Sequence, residues 1–366
     1  MKSWLLLFLV VPLAGLYYAM MRVWHILPLS APFKVAIVAV LVLCFAMFFL
    51  NFFVVDKLPM WLATVVYNVG NSSLVVLLYA VMLFALLDVG RLLGWVPSSF
   101  LHGSLAGTLT VVAVLGGLFT YAHIHYMHKQ RVPLDLATSK PLRDGPLTIV
   151  LMSDLHVGYH NDVDELNRWV DMVNREKPDL VLIGGDIIDG HMRPLQEQGM
   201  AQSFRRIKAP VVACLGNHEY YSGTPQACRF YEEAGIKLLI DEAITIKGIN
   251  IVGRDDLTNS RRRPLSWLMA QVDKSRFTVL LDHQPYHLEQ AQRAGIDFQF
   301  SGHTHYGQVW PMSWLENLVY EKAFGPLTKG STRYYVSSGL GIWGAKFRIG
   351  TQSEWVVARV FLHASR

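Results

Sequence analysis

Hydrophobic residues are distributed very unevenly along this 366-residue chain. Four long apolar stretches occupy its first third, at Trp4–Met21, Phe33–Val55, Ser73–Trp95 and Phe100–Ala122. Each approaches the ~20 residues that a helix needs to cross a bilayer. Trp4, Trp24, Trp61 and Trp95 fall near the ends of these stretches, where amphipathic rings favour the membrane interface. Lys2 ahead of an apolar run also suits a cleavable leader, but the length of the run and the three stretches behind it favour a retained span. Beyond a turn-rich segment, "VPLDLATSKPLRDGP", the pattern shortens. Apolar runs at Leu147–Met152, Leu180–Ile183, Pro210–Leu215, Ile249–Val252, Thr278–Leu281 and Ile296–Phe300 read as buried strands. Asp162–Lys177 has its apolar positions near helical spacing, and Thr224–Ala234 and His287–Ala294 also read as helical. Thr332–Ser337 and Glu354–Leu362 are expected to finish the sheet with antiparallel pieces. The fold class is therefore α/β and layered, preceded by an all-α bundle of four transmembrane helices. The expected division is a transmembrane domain over 1–128, a linker over 129–146 and a soluble domain over 147–366.

Charge sharpens that division. Residues 1–128 contain five basic residues (Lys2, Arg22, Lys34, Lys57 and Arg91) and two acids, Asp56 and Asp88. The formal charge of +5 splits as +3 and +2 between the two parts, and neither has the concentrated basic face of a nucleic-acid binder. Four spans put the N-terminus and the soluble domain on one side, with Lys2, Lys57, Lys129 and Arg131. Arg22, Lys34 and Arg91 lie on the other, a bias that predicts a cytoplasmic face. Cys44, Cys214 and Cys228 suggest no disulfide framework. The histidines at 123, 125 and 128 lack a neighbouring carboxylate and read as interfacial residues.

The chemistry gathers where the short strands end. "SDLH" supplies Asp154 and His156, "GGDIID" supplies Asp186 and Asp189, and "LGNHEYY" supplies Asn217 and His218. "LDHQP" supplies His283, and "SGHTH" supplies His303 and His305. Ligands of α/β sheets collect beyond the carboxyl ends of the strands, so these residues are expected to converge. Imidazole mixed with carboxylate and amide oxygen suits Mn, Fe or Zn better than Ca. Two such ions clamp a phosphate and lower the pKa of water, and a carboxylate must bridge them. Asp186, following Gly185, fits that bridge. Gly184, Gly185, Gly216 and Gly302 allow the close approaches that such a site demands. Asp189 either orients a ligand or caps a turn. His160, His191 and His287 read as loop residues, and Arg261–Arg263 as a solvated charge run.

Taken together, these motifs resemble those of the calcineurin-like metallophosphoesterases across roughly residues 147–362. The texts "GNHEYYSG", "GRDD", "GHTHYGQ" and "SSGLGIWGAKFRIG" look like the bacterial branch that carries N-terminal membrane spans. The resemblance implies a four-layered α-β-β-α sandwich with a dinuclear metal centre. It assigns Asp154, His156 and His305 to one ion, and Asn217, His283 and His303 to the other, with Asp186 bridging. His218 then stays off the metals and donates to the phosphate or protonates the leaving oxygen. Tyr306 stands where the family usually has glycine, and it and Arg348 are expected to meet substrate. The function expected is hydrolysis of a phosphoester by a metal-bound hydroxide at a bacterial inner membrane, on a phosphodiester or pyrophosphate of a lipid or lipid-linked substrate. A non-catalytic scaffold or regulatory domain would be expected to have lost ligands. A transporter would need polar groups deep in the spans, and a nuclease would need a basic groove. Behind "GHTH" the residues Val309, Trp310, Met312, Trp314, Leu315, Leu318 and Val319 form an apolar run. They either pack under the sandwich or meet the bilayer.

Overall fold

The structure is a computed structural model that describes residues 2–363, with side chains from Val10 onward. Residues 1 and 364–366, and the side chain of Trp4, lie outside the described residues. Two compact units emerge: residues 1–124 with the short segment Gly344–Lys346, and residues 125–343 with 347–366.

The first unit contains four long helices, α1 (Lys2–Ile26), α2 (Ala31–Leu50), α3 (Met60–Leu92) and α4 (Leu105–Met127). Among the described residues, α2, α3 and α4 are long and apolar enough to cross a membrane. The helix containing the first expected span is described only in part at the side-chain level. Helices α2 and α3 approach closely at Gly70, where a Cβ would lie 2.6 Å from the Phe48 backbone nitrogen. Small residues allow such contacts between helices that have no hydrophobic drive to associate in lipid. Asp88 is paired rather than isolated: Arg22 lies 2.5 Å from its carboxylate and the Tyr18 hydroxyl donates to it.

The second unit is built on twelve strands among the described residues. They are β1 (Gln130–Thr138), β2 (Leu147–Met152), β3 (Leu180–Ile183), β4 (Val211–Ala213), β5 (Lys237–Leu238) and β6 (Glu242–Ile246), followed by β7 (Ile249–Gly253), β8 (Thr278–Leu281), β9 (Phe298–Ser301), β10 (Gly325–Lys329), β11 (Thr332–Val336) and β12 (Glu354–Leu362). They form two six-stranded sheets, in the orders β1-β12-β2-β3-β4-β5 and β10-β11-β9-β8-β7-β6. Strand alternation divides the core. Ile149 and Leu151 of β2 face the second sheet, meeting residues such as Ile251, Val279 and Phe300. Val150 and Met152 face the other way, toward Leu166, Trp169 and Val173 of the helix Val163–Arg175. Across the second sheet, Val252 and Leu280 pack on Leu265, Leu268 and Leu288. The result is the expected four layers, α-β-β-α. The helix Val163–Arg175 is capped by Asp162, whose carboxylate accepts from the Glu165 N–H at 2.9 Å.

Two expectations need correction. The expected linker contains β1, paired in parallel with β12 through nine registered residues. Val132, Leu134 and Leu136 alternate toward the inter-sheet core, which a linker would not do. The late strands are also not simply antiparallel. β11 runs parallel to β9 and antiparallel to β10, while β12 runs parallel to β1 and antiparallel to β2.

Candidate metal centre

The loops after β2, β3, β4, β8 and β9 bring the seven expected ligands together. Asp154, His156 and His305 have ligand atoms within 4.8 Å of one another, as do those of Asp186, His283 and His303. Asn217 joins the second group through its Oδ1, 2.7 Å from His303 Nδ1. The Asp186 carboxylate lies between the groups, with Oδ2 3.1 Å from His283 Nε2 and 3.7 Å from His156 Nε2. Five of the seven, Asp154, His156, Asp186, His303 and His305, adopt positive φ. That conformation is uncommon outside glycine, although Asp and His tolerate it better than most, and it clusters at functional sites.

The donor set fits divalent metal. His283 Nδ1 lies 2.7 Å from the Gly184 carbonyl, which fixes the proton there and leaves Nε2 as a ligand nitrogen. That Nε2 is buried and faces Asp186 Oδ2 at 3.1 Å. His156 Nδ1 lies 3.3 Å from Asp189 Oδ1, so its Nε2 is likewise presented inward. His156 Nε2 then meets His305 Nε2 at 3.0 Å, with Asp154 Oδ1 3.5 Å from the latter. Nitrogen lone pairs converging on buried carboxylates are what a cation reconciles. Asp189 Oδ1 thus lies against the His156 ring, and its ligand atom falls within 4.8 Å of those of His156 and His218. Burial works to raise its pKa, but His160 and His156 hold it below the usual carboxylate range.

Glycines complete the cradle. At Gly216 a Cβ would sit 2.1 Å from Asp186 Oδ1, and at Gly302 one would sit 2.2 Å from Asp154 Oδ2. His218 stands beside the cluster, its ring 4.5 Å from that of His156. Its backbone N–H donates to Asp186 Oδ1 at 2.9 Å, and its Nδ1 bonds the Asp189 carbonyl. Burial lowers its pKa, against the opposing pull of Asp186.

A residue with no distinct sequence signal holds these loops in register. Glu219 is fully buried and accepts from the backbone N–H groups of Gly216 (2.7 Å), Ile188 (3.0 Å) and Asp186 (3.1 Å). Burial and the neighbouring Asp186 charge push its pKa up to about 7. It lies inside the "GNHE" motif, but its role depends on three turns meeting in space.

Arg348 is a correction. Its side chain is wholly buried, which removes it from any substrate. The guanidinium instead donates to the carbonyls of His305 (2.7 Å), Ser338 (2.5 Å) and Gly341 (3.1 Å). It is a positioning residue for the turn that carries His305. Tyr306 is half-buried, follows His305 at positive φ and stacks on Phe324. Arg262 departs from the solvated-run expectation, because it donates to the buried Asp282 at 2.9 Å, while Arg263 lies over Trp267. His160 bonds the Ile342 carbonyl, and His191 packs edge-on to Tyr159. His287 is exposed, 3.8 Å from Glu289. His123 and His125 contact the carbonyls of Lys346 and Thr351 respectively.

A family model for calcineurin-like phosphoesterases matches residues 147–307. An uncharacterized metallophosphoesterase of Helicobacter pylori strain J99 is 33% identical over 223 residues, covering 59% of this chain and 60% of that protein. One of Campylobacter jejuni is 30% identical over 251 residues, covering 67% of each chain. A Danio rerio protein named as a transmembrane protein with metallophosphoesterase domain is 28% identical over 347 residues, 88% of this chain and 78% of its own length. The chain spans about three fifths of the length of the two Helicobacter relatives. With motifs, layers and ligand loops in agreement, the chain belongs to the calcineurin-like phosphoesterase family.

Proposed function

We propose that this protein is a membrane-anchored, dinuclear-metal-dependent phosphoesterase. The observation that carries the reading is the Asp186 carboxylate set between two clusters of inward-facing ligand atoms. Asp154, His156 and His305 would hold one ion and Asn217, His283 and His303 the other, with the Asp186 carboxylate placed to serve both. The mixed imidazole, carboxylate and amide donor set suits Mn, Fe or Zn, and Mn is the ion chosen for the assays. When bound, such a pair polarises a phosphoryl group and lowers the pKa of water. His218 works beside them. With Nδ1–H directed at the Asp189 carbonyl, Nε2 accepts a hydrogen bond in the neutral ring, and in the imidazolium form it donates to a phosphate oxygen or passes a proton to the leaving oxygen. Asp189 keeps His156 oriented, and Arg348 fixes the turn bearing His305.

Three apolar helices of membrane-crossing length, and the name of the Danio rerio relative, support a location in a membrane. The weak positive-inside bias supports a cytoplasmic face of a bacterial inner membrane. The substrate inferred from that location is a phosphodiester or pyrophosphate of a lipid or lipid-linked molecule. The test is hydrolysis of bis-p-nitrophenyl phosphate and of lipid phosphoesters by the detergent-purified full chain supplied with Mn. Asp186→Ala and His305→Ala should each abolish turnover while leaving folded protein. Full activity in either variant overturns the assignment.

A further inference from the structure

The helix Met312–Val319 follows the metal-ligand turn by only a few residues. One face is clamped to that turn: Ser313 is buried, and a Cβ at Gly307 would lie 2.4 Å from its backbone nitrogen. The opposite face is apolar and open. Trp314 is 61% exposed, Leu315 54%, Leu318 82% and Val319 61%, with the Trp310 ring edge-on to Trp314 at 5.2 Å. These residues expose on the order of 600 Å², at the upper end of what a monomer leaves uncovered without a purpose.

Hydrogen bonds tie this face to the end of the last apolar helix. His125, near the C-terminus of α4, contacts the Thr351 carbonyl at 2.9 Å. The Thr351 hydroxyl donates to the Gln308 carbonyl at 2.6 Å, and the Trp310 N–H donates to the Ile349 carbonyl at 2.7 Å. Within this unit the open face is thus hydrogen-bonded, through Gln308 and Thr351, to the last turn of α4. Tryptophan beside leucine and valine is the composition that settles at a membrane interface. A second copy of the chain is the poorer fit, since a stable dimer buries roughly 800 Å² on each partner.

We propose that Trp310 and the helix Met312–Val319 dock into the bilayer surface beside the metal centre, so that the site draws phosphoesters from membrane lipid. The substrate half of this proposal rests on the phosphoesterase reading; the docking half does not. The full chain is reconstituted in nanodiscs of phosphatidylethanolamine and phosphatidylglycerol, with or without brominated acyl chains, and tryptophan emission is recorded. The emission lost in Trp314→Phe reports Trp314, and Leu318→Trp adds a second reporter on the same face. Bromination should quench more than about half of each difference signal, as expected for rings at lipid depth, while aqueous iodide leaves both largely unaffected. Quenching by iodide instead overturns the proposal. Quenching by neither also overturns it and identifies a protein-covered face. If bromination quenches but no lipid phosphoester is hydrolysed while bis-p-nitrophenyl phosphate is, docking stands and the lipid-substrate half is overturned; if neither is hydrolysed, the phosphoesterase reading fails with it.

Discussion

Replacing Arg348 with lysine separates a substrate-binding arginine from one that holds the site together. The guanidinium reaches three buried carbonyls, those of His305, Ser338 and Gly341, through its two terminal nitrogens. A lysine ammonium keeps the charge but concentrates its donors at one point, so one or two of those carbonyls lose their partner. Each buried carbonyl stripped of its donor costs about 1–3 kcal/mol, giving a total near 2–4 kcal/mol for Arg348→Lys. For a unit of this size that corresponds to a fall of roughly 5–15 °C in Tm. Because the His305 peptide loses its anchor, metal affinity should also fall, by about 10–100-fold, as for other groups that orient ligands. Burial lowers the Arg348 pKa to about 10, which leaves it charged at neutral pH, so the comparison is between two cations. Differential scanning fluorimetry and elemental analysis of the detergent-purified full chain read the two effects. If Arg348→Lys has unchanged Tm and metal content, and only KM rises, the side chain meets substrate and the structural argument fails.

Three further outcomes follow from the site. His218→Gln should lower kcat by about 10²–10⁴ with metal content intact, because His218 touches Asp186 only through its backbone N–H; loss of metal in this variant would make His218 a ligand. Gly216→Ala should displace the Asp186 carboxylate and reduce metal affinity tenfold or more, since the new methyl would lie 2.1 Å from Oδ1, and isothermal titration with Mn measures this directly. Chelation should lower the Tm of the phosphoesterase unit, and added Mn should restore it in a concentration-dependent way, by about 2.7 kcal/mol at a hundredfold excess over Kd; a Tm indifferent to chelator would show that these residues hold no ion.

The convergence of the candidate metal-centre residues was legible because each follows a short apolar run, and α/β topology sends strand ends to a common edge. Asp154, Asp186 and His283 could be paired with a strand end before any geometry was known. Strand β1 was obscured by Pro133 and the turn residues around it. An edge strand tolerates proline, and β1 pairs only with β12. Its Val132, Leu134 and Leu136 alternation was present but short enough to pass for a linker. Arg348 illustrates a different limit. An arginine beside glycines has the same local sequence whether it faces a phosphate or buries itself among carbonyls, and only the packing of segments 305, 338 and 341 decides. Glu219 is similar, since its three N–H donors come from three separate turns.

The pairing of β1 with β12 also bears on the order of biosynthesis. β12 lies between β1 and β2, yet it is translated after every other strand of both sheets. Until it emerges, β1 has no neighbour to bond and the edge of β2 stays open, an invitation to wrong pairing. A nascent chain already inserted in a bilayer by its apolar helices would thus carry an unclosed sheet through most of its synthesis. Closure of that sheet therefore waits until residues 354–362 become available to pair. Chain arrest upstream of Glu354 should leave a membrane-bound intermediate that proteases cut readily near residues 130–152.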